Sequence, residues 1–86
     1  MPEISRFYGI IIYMNYKDHN PPHFHARYGE FKVVIKISDF AIMDGKLPPK
    51  AYGIVMEWAV AHKGELMRNW NAAKNNKQPS AIEPLK

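Results

Sequence analysis

The sequence predicts an α+β fold, in which a four-stranded antiparallel meander packs against one long C-terminal helix. Residues 23–37 alternate apolar and polar side chains, as strands with one buried face do. Residues 49–75 carry apolar side chains three and four positions apart, which is typical of an amphipathic helix. The breaks between the strand patterns are short, and short breaks favour antiparallel pairing of neighbouring strands.

Residues 7–14, Phe-Tyr-Gly-Ile-Ile-Ile-Tyr-Met, form the first predicted strand. They are rich in aromatic and β-branched side chains and apolar on both alternating faces. We therefore expect a central strand covered on both sides, or covered on one side by a second subunit. Residues 15–22 follow as a loop, because Asp18, Asn20, Pro21 and Pro22 disfavour both helix and sheet.

The second and third strands form a hairpin around Gly29-Glu30, where a leading glycine favours a type II′ turn. This register places apolar pairs on one face of the hairpin, namely Tyr28 with Phe31, Ala26 with Val33 and Phe24 with Ile35. The other face then carries Arg27 beside Lys32, His25 beside Val34 and His23 beside Lys36.

The fourth predicted strand spans residues 40–43 after a tight turn at Ser38-Asp39, with Phe40 and Ile42 on the core side. Pro48-Pro49 then marks a helix start, since proline at the first helical positions loses no needed hydrogen bond. The helix is predicted over 49–75 with a kink or break near Gly64. Residues 1–75 would form one compact domain, and the polar residues 76–86 a flexible tail.

The composition of the 86-residue chain excludes several classes of site. Without cysteine there is no disulfide, thiol catalysis or thiolate metal site. Twelve basic and eight acidic residues give a net charge of +4, which favours acidic partners only weakly. We find no secretion signal and no apolar run of about 18 residues, so we expect a cytoplasmic protein without membrane contact.

A histidine cluster concentrates the chemistry of the chain. His23 and His25 are one residue apart on a strand and project from one face, and the preceding loop can bring Asp18 or His19 to the same place. Such a set would bind a divalent metal and leave a position for water. Alternatively, His19 and His23 hydrogen-bond the backbone around the two prolines. We favour this structural interpretation, because that turn has many carbonyls and few donors.

Two surfaces are candidates for binding other molecules. On the polar strand face, Arg27, Lys32 and Lys36 lie close together with the histidines, which would suit nucleic acid unless the charges are simply solvated. Tyr8 or Tyr13 would supply stacking there. On the helix, the side away from the main stripe is apolar and would suit a protein partner or a homodimer, unless the tail covers it. Its residues are Tyr52, Met56, Val60, Met67 and Trp70.

The segment His-Asn-Pro-Pro-His-Phe-His-Ala-Arg-Tyr-Gly at residues 19–29 resembles the core motif of a bacterial family known as domain of unknown function 4160. The opening residues 1–9, residues 45–48, residues 57–59 and the helix ending at Trp70 extend the similarity. The resemblance implies a small bacterial protein without an agreed activity. It also implies the product of a two-gene unit, of a kind suspected to be a toxin-antitoxin module.

These observations favour a cytoplasmic interaction module over an enzyme. The module would bind a protein partner, encoded by an adjacent gene as half of a toxin-antitoxin-like pair, and nucleic acid through its polar strand face. No cofactor is expected for it, and no catalytic residue is assigned. The alternative is a metal-dependent hydrolase or nuclease that uses His19, His23 and His25 with Asp18.

Overall fold

Five antiparallel strands and two helices make up the computed structural model, which describes residues 2–86. The strands are β1 (Glu3–Phe7), β2 (Ile10–Tyr13), β3 (His23–Tyr28), β4 (Phe31–Lys36) and β5 (Ile42–Gly45), and they lie side by side in chain order. Helices α1 (Pro49–Ala61) and α2 (Lys63–Lys74) follow. The α+β class and the meander are confirmed, whereas the prediction of four strands and one long helix is wrong in both numbers.

The extra strand comes from residues 7–14, which we predicted as one strand. The chain reverses at Tyr8 and Gly9, whose φ angles are 49° and 80°. Positive φ at both central positions is the mark of a type I′ turn, and Phe7 accordingly pairs with Ile10. A tyrosine is unusual at such a position, and the residues on both sides are apolar. The periodicity therefore gave no sign of the reversal.

The β3–β4 hairpin has the predicted register at every pair, from Tyr28 with Phe31 to His23 with Lys36. Phe24, Ala26 and Val33 are buried, so the apolar side of the hairpin faces the core. The opposite side of the sheet, which we call the open face, is continued by β2, because Ile11 pairs with Arg27 and Tyr13 with His25. Its residues on β2, β3 and β4 are Ile11, Tyr13, His23, His25, Arg27, Lys32, Val34 and Lys36.

The connection from β4 to β5 is longer than the predicted turn at Ser38-Asp39. The Phe40 N–H donates to the Lys36 carbonyl, and the Lys36 N–H donates to the Ala41 carbonyl, both at 2.9 Å. Phe40 has a φ of 60° and packs against the core. The last strand therefore begins at Ile42, two residues later than predicted. The core position predicted for Ile42 is wrong, since this side chain is 46% exposed.

The helical region is interrupted at His62, two residues before the predicted break at Gly64. His62 has φ −123° and ψ 25°, values outside the α-helix, and its N–H donates to the Ala59 carbonyl at 3.1 Å. Its ring nitrogen Nδ1 lies 2.6 Å from the Glu65 carboxylate, which braces the first turn of α2. Gly64 is accommodated within that turn. Neither helix found in residues 2–86 has the length and apolar character needed to cross a membrane.

Trp58 packs α1 against the sheet. Its side chain is fully buried, with its ring centroid 5.3 Å from that of Phe7 and 6.2 Å from that of Phe24. Because Phe7 and Phe24 belong to β1 and β3, Trp58 holds α1 across several strands at once. This packing places α1 over the core face. Trp70 of α2 lies against His23 at the start of β3.

Residues 77–86 contain no helix or strand and lie against α2 and β1. The side chain of Asn69 donates to the Ser80 carbonyl at 2.8 Å and accepts from the Ser80 N–H at 3.0 Å. The Ile82 N–H donates to the Ile4 carbonyl at 2.7 Å, and the Ile82 side chain is buried. The segment predicted as a flexible tail thus covers part of the outer edge of β1.

We predict that Gly45→Ala destabilises the fold much more than Gly29→Ala. Both glycines have positive φ, which costs roughly 1–2 kcal/mol for alanine. A Cβ at Gly45 would in addition overlap the Lys32 carbonyl, whereas a Cβ at Gly29 meets nothing. Urea denaturation should show a loss of about 3 kcal/mol or more for Gly45→Ala. Equal losses for the two variants would contradict the β4–β5 pairing.

We also predict that Asn69→Ala lowers the free energy of unfolding, by about 1–3 kcal/mol, because it removes both hydrogen bonds to Ser80. Asn71→Ala is the matched control on an exposed position of the same helix and should change stability by less than about 0.5 kcal/mol. The same denaturation measurement serves both variants. Similar values for the two would show that the Ser80 contact contributes nothing to stability.

Candidate metal centre

The loop between β2 and β3 returns to the open face and brings one carboxylate to two histidines. Alternation along β3 places His23 and His25 on that face. Asp18 Oδ2 lies 2.9 Å from His23 Nε2 and 3.3 Å from His25 Nε2. One ligand atom from each of the three residues lies within 4.8 Å of the others. The three side chains therefore form a compact group of oxygen and nitrogen donors.

Backbone hydrogen bonds hold this loop in place. The Lys17 N–H donates to the Ala73 carbonyl near the end of α2, and the Ile37 N–H donates to the Pro22 carbonyl just after β4. The His19 N–H donates to Asp18 Oδ1 at 2.9 Å. Since Oδ1 is engaged by the backbone, Oδ2 is the oxygen that faces the two imidazoles.

His23 is held from both sides. Its Nδ1 lies 2.8 Å from the Pro21 carbonyl, which only accepts, so Nδ1 carries the hydrogen. In a neutral ring, Nε2 then directs a lone pair at the Asp18 carboxylate. A hydrogen or a metal ion between these two groups would make the contact favourable. Metal-bound histidines commonly donate their other N–H to a backbone carbonyl in this way.

His25 is fixed by an aromatic neighbour. Its ring stacks on Tyr13, with centroids 4.8 Å apart and an angle of 11° between the planes. The Asn15 amide lies 3.4 Å from His25 Nε2. Burial lowers the pKa of His25 below the ordinary 6.5, and it outweighs the hydrogen bond to Asp18, which acts in the opposite direction. The lowered pKa favours the neutral ring, in which Nε2 can bind a metal when the ring hydrogen is on Nδ1.

Burial would raise the pKa of Asp18, but it is outweighed. Hydrogen bonds from the His19 backbone, His25 and His23 together hold this pKa below the ordinary value, so the group is a carboxylate at neutral pH. Ligand atoms bound at about 2.1 Å stand roughly 3.0–3.4 Å apart. The 3.3 Å distance from Asp18 Oδ2 lies within this range, and the 2.9 Å distance lies just below it. Two imidazoles and a carboxylate suit zinc and other divalent transition metals.

His19 does not join the group, although the sequence analysis placed it among the ligands. The backbone N–H of His19 donates to Asp18, but His19 itself is exposed. Within residues 2–86, the group of donors close enough to share a metal consists of Asp18, His23 and His25 alone.

The basic residues predicted to bind nucleic acid lie beside this group on the open face. Lys36 pairs with His23 across the β3–β4 ladder, and Arg27 pairs with Lys32 further along it. Arg27 and Lys36 are partly exposed and Lys32 is exposed. Among the residues that the structure describes, none of these three cations makes a salt bridge.

The predicted helix surface is not arranged as a continuous exposed patch. Trp70 is only 2% exposed, and its ring centroid lies 5.0 Å from that of His23, so it lies in the interior. Tyr52, Met56 and Met67 are partly buried against the core. Val60, at 65% exposed, is the member that is mainly in solvent. Binding of a protein partner by the exposed residues of this surface stays a prediction.

The sequence assigned Tyr13 to stacking on nucleic acid and Trp70 to a partner surface, and it did not predict that both contact the histidines of the site. Tyr13 stacks on His25 because β2 pairs with β3. The prediction of residues 7–14 as one strand did not reveal that pairing. Trp70 reaches His23 because α2 is a separate helix with its own direction. In each case the contact depends on how separate elements pack together, which the local sequence pattern does not show.

Comparison with protein families finds a match over most of the chain. The model of the family described as Domain of unknown function (DUF4160) matches residues 9–71, which include the three donors and most of both helices. Comparison with curated proteins gave no match, and comparison with solved structures gave none either.

We predict that the metal-stripped protein binds zinc through Asp18, His23 and His25 and without His19. Isothermal titration should show that Asp18→Ala or His25→Gln weakens binding at least roughly 100-fold, since each removes a ligand. His19→Gln is the matched control and should bind as the unsubstituted protein does. Circular dichroism would verify that each variant is folded. Loss of binding in His19→Gln alone would contradict this ligand set.

Proposed function

The chain belongs to the family Domain of unknown function (DUF4160), whose description names no activity. We therefore propose a function from the geometry of the site. The proposed function is metal-dependent hydrolysis, with a divalent ion held by Asp18, His23 and His25. One observation carries it: Asp18 Oδ2 lies within hydrogen-bonding distance of both Nε2 atoms while His23 Nδ1 is committed to Pro21.

The number of ligands supports catalysis over a purely structural metal. Structural zinc sites are usually closed by four protein ligands, whereas catalytic sites use three and leave a position for water. An ion in such a site lowers the pKa of its bound water to about 7 and supplies hydroxide at neutral pH. The three donors here would hold the ion, and the open position would receive water and the substrate.

The exposure of the ligands is uneven in a way that suits this proposal. The His23 side chain is 7% exposed and lies between the Pro21 carbonyl and Trp70, so it serves as the fixed ligand. The side chains of His25 and Asp18 keep 16% and 19% of their surface in solvent. Substrate would therefore approach from the side of these two residues, which is the side of the open face.

The structural role considered for His23 is compatible with this proposal. The hydrogen bond from His23 Nδ1 to the Pro21 carbonyl braces the proline turn and also orients Nε2 toward Asp18. We propose that one contact serves both purposes. A purely structural role would leave metal binding and hydrolysis absent, so the two interpretations differ in what they predict for a metal-loaded protein.

A second candidate function is the protein-binding module, and it is supported by β5. All four residues of this edge strand are exposed, including Ile42 and Met43 at 46% and 41%. Exposed strand edges are sites at which a partner adds a strand. The partner would be a protein encoded by an adjacent gene, as in the toxin-antitoxin-like arrangement that the resemblance implies, or a second copy of this chain.

We predict that the zinc- or manganese-loaded protein hydrolyses at least one member of a panel of p-nitrophenyl carboxylic and phosphoric esters. Release of p-nitrophenol should stop when the metal is chelated and fall at least roughly 100-fold in His25→Gln, since the ion would be lost. His19→Gln should retain the rate. A metal-loaded, folded protein that hydrolyses neither these esters nor a phosphodiester would contradict the proposed function.

A further inference from the structure

We infer that the substrate is a single-stranded nucleic acid, which lies across the open face with the reacting phosphodiester at Asp18, His23 and His25. This inference rests on the proposed function and names the substrate class of the same site. Arg27, Lys32 and Lys36 would bind the neighbouring phosphates.

The charge of the open face is the first support. Arg27 lies directly opposite Lys32, and like charges at such positions destabilise a sheet unless something neutralises them. Nearby acids do not do so. Glu3 is paired with Arg6 at 2.7 Å, and Asp44, which lies opposite Val34 on this face, forms no salt bridge with any of the three cations. Within residues 2–86 the three cations lack carboxylate partners, which leaves them available for an anion.

The spacing of the cations favours a polymer over a small anion. Residues two apart on a strand are separated by about 6.6–6.8 Å, so Arg27 lies roughly 13 Å along β3 from His23. Lys32 and Lys36 are separated by a similar distance along β4. Lys36 is level with the metal site and Arg27 and Lys32 lie beyond it. One phosphate ion would contact one end of this row, whereas a phosphodiester chain would contact both.

The shape of the face favours a single strand. Val34 is partly exposed on β4 between Lys32 and Lys36, and Ile11 is partly exposed on β2 beside Arg27, so apolar side chains alternate with the basic ones. Single strands bind such sheet surfaces by laying unstacked bases on them while cations bind the backbone. Tyr13 is not the stacking platform that the sequence suggested, because its ring is 8% exposed and stacks on His25.

The reaction would be hydrolysis of a phosphodiester. One water is consumed: its oxygen forms a new bond to phosphorus, and the bond from phosphorus to one sugar oxygen breaks. One proton of the water ends on the departing sugar oxygen, which leaves as a hydroxyl, and the other stays on the new phosphate or passes to solvent. The products are a terminal phosphate and a terminal hydroxyl, and no oxidant or reductant is needed.

The test uses the zinc- or manganese-loaded full chain with a labelled 20-nucleotide RNA, the DNA of the same sequence, and its duplex. Arg27→Glu and Lys36→Glu should weaken single-strand binding and cleavage at least roughly 10-fold, because each replaces a phosphate contact by a repulsion. Lys50→Glu, at an exposed position on α1, is the matched control and should stay within about twofold. Titration should show unchanged metal affinity in all three variants.

The outcomes separate the two proposals. A protein that binds metal and hydrolyses p-nitrophenyl esters but neither binds nor cleaves the single strands would overturn this inference and leave the proposed function intact. A protein that binds no metal would overturn both. Polyglutamate and unlabelled RNA would each be added to compete with the labelled RNA. If polyglutamate displaces the labelled RNA at the same concentration of negative charges as unlabelled RNA does, the inference is overturned in favour of an acidic protein. Cleavage of the RNA, the DNA or both supports the inference and identifies the natural strand.

Discussion

Asp18 connects the loop after β2 to the open face of β3, and the arrangement of the site depends on this contact. Its Oδ2 faces both imidazoles, and its Oδ1 accepts the His19 N–H. The backbone N–H of the preceding residue, Lys17, donates a hydrogen bond to the end of α2, and Trp70 of α2 packs on His23. One carboxylate is thus the point at which the loop, the sheet and the second helix meet.

The core determines which side chains reach that point. Burial of Phe24, Ala26 and Val33 fixes the register of β3 with β4, because a slip by one residue would turn this apolar set toward solvent. The same register places the histidines and the basic residues on the open face. The chemistry of that face therefore follows from apolar packing on the other side of the sheet.

Much of this was predictable from sequence, and the exceptions have physical causes. The β3–β4 hairpin was predicted correctly because alternation and the turn at Gly29 point to one register. The reversal at Tyr8-Gly9 was missed because the residues on both sides are apolar and tyrosine rarely takes such a turn position. For the site, the spacing of His23 and His25 was informative. The choice of Asp18 over His19 was not, because it depends on how the loop folds back.

The most direct test of the account is a crystal structure of the protein grown with zinc, recorded at the zinc absorption edge. The account predicts an anomalous peak within about 2.0–2.2 Å of Asp18 Oδ2 and of the Nε2 atoms of His23 and His25. The His23 Nδ1 hydrogen bond to Pro21 should persist beside it. An unoccupied site at saturating zinc, with Asp18 still accepting hydrogen bonds from both histidines, would contradict metal binding and leave these residues a structural role.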